Sequence, residues 1–354
     1  MGPQKADTEG DAMVKCPFRK SVDGPPEGPP EGALNVVTDY AGSLADAVSA
    51  ASSGQTIWIP ADTTISVTGV TWKTGVKLLG AGQTSVVERT TTTGPVINCS
   101  GKNDWEIKNC KVQFASIAPG DAESASCVAV GSPTSGWNVE DVWMANGYYA
   151  MKISYGSSGV NSGTVTNPVV LSGHNPFYVS YSSYLTFTNV VAEATRTGTI
   201  SAPPHHFYVN AGVSHMTVDG YHLTGGKVDY WCIQIYPGPS VTDINFNDGI
   251  LDEVGGGIVV AGSSGAISHV TFDGIYGRST RKTSNEAWFK AYDDVSTTLF
   301  TDFDLADSFL VEVDTTTDSI QLTNGSITSI DAHSPSGVLT SGGTAPTLTN
   351  VTVS

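Results

Sequence analysis

A five-residue pattern recurs along this chain: apolar, any, apolar, any, then Asn, Asp or Gly. It stands as VKLLG ending at Gly80, WEIKN at Asn109, WNVED at Asp141 and LTFTN at Asn189. It returns as MTVDG at Gly220, INFND at Asp248, VTFDG at Gly274 and IQLTN at Asn324. Weaker copies end at Asn167, Asp302 and Asn350, and the ten intervals from Gly80 to Asn350 average 27 residues. That period is too long for a hexapeptide solenoid and too short for a propeller blade. The alternation within each copy is that of a strand. Such a strand cannot bury its apolar side alone, but stacked coils about 4.8 Å apart bury it and pair every backbone group with the coils above and below. The pattern therefore predicts an all-β chain: a single-stranded right-handed parallel β-helix of about eleven coils, three short strands per turn, forming a rod roughly 50 Å long. Asn, Asp and Gly share a tolerance of left-handed backbone, so their interchange marks a sharp corner and not a catalytic carboxylate.

A second strand fits the same frame: PFYVS (176–180), HFYVN (206–210), CIQIY (232–236), GIVVA (257–261), WFKAY (288–292) and LVEVD (310–314). With Phe177, Val179, Phe207, Val209, Ile233, Ile235, Ile258 and Val260 turned inward, the outward row is Tyr178, Tyr208, Gln234, Val259, Lys290 and Glu312. A neighbouring row holds Asn210, Tyr236 and Tyr292.

Residues 34–60, ALNVVTDYAGSLADAVSAASSGQTIWIP with the preceding Ala33, resemble the start of the pectate-lyase-like right-handed parallel β-helix superfamily, closest in character to phage and virus tailspikes. The resemblance implies a strand, then a short amphipathic helix capping the open end of the core. That helix falls at about 43–52, with Leu44, Ala47, Val48 and Ala51 inward at helical spacing. Gly54 is then the turn, Ile57–Pro60 the next strand, and GVKLLGAG (75–82) the opening of the first full coil. The domains follow as an extended N-terminal arm (1–33), a cap of strand, helix and strand (34–75) and the β-helix (76–354). The superfamily's polygalacturonase set of Asn-Thr-Asp, Asp-Asp and Gly-His-Gly is missing from successive coils. So are the Arg-x-Pro-x-x-Arg segment of pectate lyases and the Tyr-Gly-Phe-Asp-Pro-His motif of alginate epimerases.

Charge narrows the partners. The net charge is −17 and charged residues make up 14%, against roughly 25% in an average domain. Such a balance opposes a phosphate-coated ligand, so no nucleic-acid partner is expected. The five cysteines, Cys16, Cys99, Cys110, Cys127 and Cys232, contain no CxxC and read as small buried hydrophobes rather than a disulfide or zinc framework. No apolar leader and no run of membrane-spanning length is visible, so neither a secretory signal nor membrane insertion is expected. The arm carries a PPEG tandem within 21–32, read as a semi-rigid tether. Before it lies a compact apolar and basic segment whose Met13, Val14, Phe18 and Arg19 are candidates for anchoring.

Aromatic side chains give the candidate carbohydrate-binding set: Tyr178, Tyr208, Tyr236, Trp288 and Tyr292, because aromatic faces stack on sugars with little entropy loss. Weaker catalytic candidates are Glu193 and His206 beside the loop 192–206, then Asp293, Asp294 and Glu312, where paired carboxylates are the tools of glycoside cleavage. His205 and His206 are adjacent, and neighbours on a strand face opposite ways, so they are not expected to share a metal. Arg196, Arg278 and Arg281 could hold an anionic ligand. Asp252 and Arg278 lie four residues past successive corners, which instead predicts a stacked surface pair worth under about 1 kcal/mol. No metal or cofactor is expected.

Two functions are compatible with these residues. One is a virion-associated adsorption protein, a tailspike, tail fibre or capsid decoration. It would be fastened to other virion proteins through its arm and assembled in the host cytoplasm, a homo-oligomer with a trimer favoured, and would present a face to a host surface glycan. The alternative is a secreted polysaccharide lyase or glycoside hydrolase.

Overall fold

The computed structural model describes residues 28–118, 124–153, 159–194, 205–225, 231–236, 240–252, 254, 256–262, 267–278, 287–292, 295–306, 309–314, 318–328, 338–341 and 345–353. It is a parallel β-helix. Leu34–Asn35 pairs with Thr56–Ile59, and that strand with Lys77–Gly80 one coil on, all parallel. From Ser182 onward, each coil has one long strand bent around a corner and one short strand. Ser182–Ala194, Ser214–Gly225, Val241–Asp252 and Ile267–Arg278 follow each other in parallel register. The short strands form a separate sheet of eleven. Its end strands are brief, two residues at Val70–Thr71 and four at Val338–Ser341. The solenoid amounts to about nine turns, slightly fewer than the eleven coils expected.

The repeat does what its residues require. Asn109, Asp141, Asn167, Asn189, Gly220, Asp248, Gly274, Asp302, Asn324 and Asn350 all have φ between 50° and 69°. Their interchange is thus a selection for left-handed backbone. Gly80 is the exception, with ordinary φ. It is needed for closeness, since a Cβ there would lie 2.5 Å from the Asn109 carbonyl oxygen.

Inside, like stacks on like. Phe246, Phe272 and Phe300 occupy one register position in three coils. Their rings lie parallel at 5.2 and 5.0 Å. Phe177 and Phe207 stack at 4.7 Å on the opposite wall. Each such fully buried ring contributes about 1.5–3 kcal/mol of transfer free energy. Cys99, Cys110, Cys127 and Cys232 are buried free thiols in this core, and desolvation pushes the Cys110 and Cys127 thiols up to about 12. Cys16 lies outside the described residues.

The cap holds the expected helix, Leu44–Ala50, with Leu44, Ala47 and Val48 buried and the Ser43 hydroxyl accepting the Asp46 N–H at 3.3 Å. Ala51, its C-cap, is buried as expected. The strand before it is shorter than the resemblance implies. Only Leu34–Asn35 is extended, and Val36–Tyr40 turns into a helix of its own. The cause is local: Asn35 Oδ1 accepts the Val37 and Thr38 N–H groups, and Asp39 accepts the Asn35 N–H at 2.8 Å. This reciprocal cap overrides the strand preference of Val36–Val37.

A tyrosine file on the eleven-stranded sheet

The outer face of this sheet carries one residue per coil in a single file. Backbone register aligns Ala129, Lys152, Tyr178, Tyr208, Gln234, Val259, Lys290 and Glu312 across eight strands. From Tyr178 onward this is the outward row expected from alternation. Val259 departs from it in burial, since it is fully covered.

Four tyrosines converge on this file. Tyr149 and Tyr178 have ring centroids 5.4 Å apart, Tyr178 and Tyr208 also 5.4 Å, and Tyr208 and Tyr236 6.4 Å. Tyr149 is buried, Tyr178 and Tyr208 are half-buried, and Tyr236 is exposed. Lys152 Nζ lies 5.1 Å from the Tyr149 centroid and 5.8 Å from that of Tyr178, within cation–π range. Asn210 donates its side-chain amide to the Tyr178 hydroxyl at 3.3 Å. The result is a ribbon of rings along the rod axis, edged by one cation and one amide. It offers ring faces to pyranose C–H groups and hydrogen bonds to their hydroxyls.

Behind the file sits a histidine group. His205 is buried, its ring centroid 5.4 Å from that of Tyr208. Its Nδ1–H donates to the Trp231 carbonyl at 2.6 Å, which leaves Nε2 as the basic nitrogen, and its backbone N–H donates to Asn175 Oδ1 at 2.6 Å. Desolvation holds the imidazole down at about 4. His206, a catalytic candidate from sequence, is corrected by its position. It is buried, its Nε2–H is tied to the Thr224 carbonyl at 2.6 Å, and desolvation likewise lowers it to about 4. Among the described residues, no group of three His, Cys, Asp or Glu side chains is placed to hold a metal ion.

Trp288 is corrected as well. Strand alternation turns it outward, yet it is fully buried and its Nε1–H donates to the Ala306 carbonyl at 3.0 Å. It is the second residue of the strand Ala287–Tyr292. It lies over Gly277, where a Cβ would come within 2.8 Å of the indole. Glu193 is exposed, but it stands on the other sheet, in the column Glu193, Thr224, Asp252 and Arg278. Arg278 is therefore opposite Asp252, as coil arithmetic required, and away from the tyrosine file. Arg196, Arg281, Asp293, Asp294, Met13, Val14, Phe18 and Arg19 lie outside the described residues, as do the side chains of Tyr292 and Glu312. Sequence reasoning missed Tyr149 and Lys152, although Met151-Lys152-Ile153 has the same inward–outward alternation as Phe177-Tyr178-Val179 one coil later.

No protein-family model and no curated protein matches the chain. Solved structures do. The tailspike protein of the E. coli bacteriophage HK620, solved with a hexasaccharide, superposes with a TM-score of 0.63 at 12% identity, over 88% of this chain and 60% of the tailspike. The chain thus spans well under two thirds of that protein's length. The polygalacturonase of Erwinia carotovora subsp. carotovora gives 0.51 at 10% identity, over 94% and 97% of the two chains. PfbA, a surface adhesin of Streptococcus pneumoniae, gives 0.53 at 12% identity, over 90% and 91%. At these identities the likeness establishes the parallel β-helix fold alone, which is a scaffold for many chemistries.

Proposed function

From this shared fold and its tyrosine file, we propose that the chain is a glycan-binding β-helix, a virion adsorption protein that holds a surface polysaccharide along Tyr178, Tyr208 and Tyr236. The observation carrying the reading is the run of Tyr178, Tyr208 and Tyr236, spaced 5.4 and 6.4 Å on one outer face, with the buried Tyr149 packed behind Tyr178. Tyr178 and Tyr208, half-exposed and in register on adjacent coils, are poor choices for mere packing and good ones for a repeating ligand, and the exposed Tyr236 extends them. Lys152 favours a glycan bearing acidic residues. Support for the virion setting comes from the tailspike solved with a hexasaccharide and from the tether at residues 21–32. In that setting the arm docks on other virion proteins and the rods associate as trimers.

Immobilised O-antigen and capsular polysaccharides test the binding: retention of the wild-type chain, lost in Tyr178→Ala/Tyr208→Ala, is the expected result. Equal retention of both proteins would exclude the file. Light scattering tests the assembly, where a clean 36.9 kDa monomer would count against the trimer.

A second reading, polysaccharide cleavage, rests on His205, whose basic Nε2 is fixed by the Trp231 carbonyl beside Tyr208. New reducing ends or unsaturated products on incubation with the same polysaccharides would support it, and their absence would remove it for those substrates.

A further inference from the structure

Five residues upstream of the corners from Asn109 to Gly274, the backbone makes a second left-handed corner: Asp104, Gly136, Ser162, Tyr184, His215, Asp243 and His269, with φ between 51° and 65°. The first three are residues suited to that turn. The next four coils place Tyr184, His215, Asp243 and His269 there; Asp and His tolerate left-handed backbone, so the bulky Tyr184 is the one disfavoured residue. Backbone outliers of this kind gather where the side chain is used.

The four residues are consecutive in space. Register pairs flanking each of them put Ser162, Tyr184, His215, Asp243 and His269 opposite one another from coil to coil. The Tyr184 ring stacks on the His215 imidazole at 4.7 Å and 17°. His215 Nε2 stands 3.5 Å from Asp243 Oδ2, and His269 Nδ1 stands 3.6 Å from Asp243 Oδ1. The imidazole is thus braced from behind, and it braces the tyrosine. Tyr184 is still 60% exposed. The residue opposite it in the preceding coil is the small, exposed Ser162, so among the described residues no large side chain stands opposite the ring face turned away from His215. Beside that face, the Ser183 hydroxyl donates to Asn161 Oδ1.

We propose that Tyr184 is the platform of a second sugar subsite, distinct from the tyrosine file, which takes a neutral pyranose ring on the face turned away from His215. Asn161 and Ser183 supply hydrogen bonds to ring hydroxyls, and His215 and Asp243 act as positioning residues. A neutral sugar is favoured because the stacked His215 is held by the Asp243 carboxylate on a chain of net charge −17. The subsite is continuous with the file. Tyr178, Tyr181 and Tyr184 follow at three-residue steps round the corner, and the Tyr181 ring covers Gly212 of the next coil, where a Cβ would lie 2.9 Å away. A polysaccharide lying on Tyr178 can therefore cross the corner to Tyr184. The proposal rests on the glycan-binding reading but not on the residues of the file.

The test uses the full chain with ¹³C-labelled tyrosine and histidine rings, titrated with cellohexaose, mannohexaose and β-1,4-galactohexaose. Shifts of the Tyr184 and His215 ring signals, assigned from Tyr184→Gly and His215→Ala spectra, are expected with at least one probe. Tyr184→Gly should weaken that binding about tenfold while leaving the unfolding midpoint unchanged or higher, because glycine accepts a φ of 56° without strain. Still Tyr184 signals with all three probes would overturn the subsite. So would unaltered affinity in Tyr184→Gly, or a lowered midpoint, which would mark the ring as structural. Shifts confined to Tyr178 and Tyr208 would remove the subsite and keep the file. Shifts confined to Tyr184 and His215 would do the reverse.

Discussion

Asn167 donates its side-chain amide to Asp141 across one coil at 2.9 Å and accepts the Asn189 amide from the next coil at 2.9 Å. The corner residue therefore performs two tasks, holding a φ of 51° and linking three coils through side chains. Asn167→Ala loses both. Left-handed backbone costs an ordinary residue about 1–2 kcal/mol, and each lost hydrogen bond about 1 kcal/mol. Asn167→Gly loses only the bonds. Urea unfolding should rank the stabilities as wild type, then glycine, then alanine, and equal midpoints for the two variants would refute the double role.

Tyr221 and Gly249 are register partners, and the tyrosine ring fills the space a side chain would need, with a Cβ at Gly249 falling 2.0 Å from Tyr221 Cζ. Gly249→Ala should thus destabilise by about 1–3 kcal/mol or more through overpacking. The Tyr221 hydroxyl is buried without a hydrogen-bond partner among the described residues, and burial pushes its pKa well up. Removing a buried, unsatisfied group relieves its desolvation cost. Tyr221→Phe is expected to be neutral or to stabilise by about 1 kcal/mol, and a thermal midpoint lowered by several degrees would show that the hydroxyl is in fact satisfied.

What the sequence disclosed depended on how local the cause was. Corners such as Asn109 and Asp248 were legible because left-handed φ selects residues one at a time. The register that aligns Tyr178 with Tyr208, Gln234, Val259 and Lys290 was legible because alternation and period together determine it. Trp288 was not, since its burial comes from contacts with Gly277 and the Ala306 carbonyl on the other sheet, which strand parity does not encode. The Val36–Tyr40 helix escaped notice because one side chain, Asn35, outweighs two β-branched neighbours. The Tyr184–His215 stack needed two periods at once, the 27-residue coil and the five-residue offset between its corners.

The file and the core make opposite demands on aromatic residues, and that separates binding from stability. Tyr208→Ala should weaken retention on the bound polysaccharide about tenfold, or about 1.4 kcal/mol, with little change in unfolding. Tyr208→Phe keeps the ring and should retain most of the affinity. Trp288→Ala should leave retention unchanged while destabilising the fold by about 3–5 kcal/mol, because it empties a core site and strips the Ala306 carbonyl of its partner. Affinity electrophoresis paired with chemical denaturation reads both effects. Loss of retention in a folded Trp288→Ala, with none in Tyr208→Ala, would move the binding face elsewhere.

The buried pair His205 and His206 makes the fold acid-sensitive. Both are held near 4 by desolvation, below the ordinary 6.5 of histidine, and the half-buried His222 is lowered for the same reason. As pH falls below 6.5, the unfolded chain takes up protons that the fold excludes, so stability declines between about 6.5 and 4. It levels off once the folded imidazoles also protonate. Above about 7 the two states bind equally few protons and these residues contribute no slope. The loss for the pair is on the order of a few kcal/mol. Carboxylates act lower: Glu140, held down by the hydrogen bond from Lys108, supports the fold above its ordinary 4.5 and withdraws that support only in stronger acid. Comparing urea midpoints at pH 7.5 and 5.0 therefore isolates the histidines. The wild type should lose stability over this interval and His205→Asn/His206→Gln should lose distinctly less. A wild-type midpoint that is flat from 7.5 to 5.0 would mean that these imidazoles are hydrated and titrate normally in the folded chain.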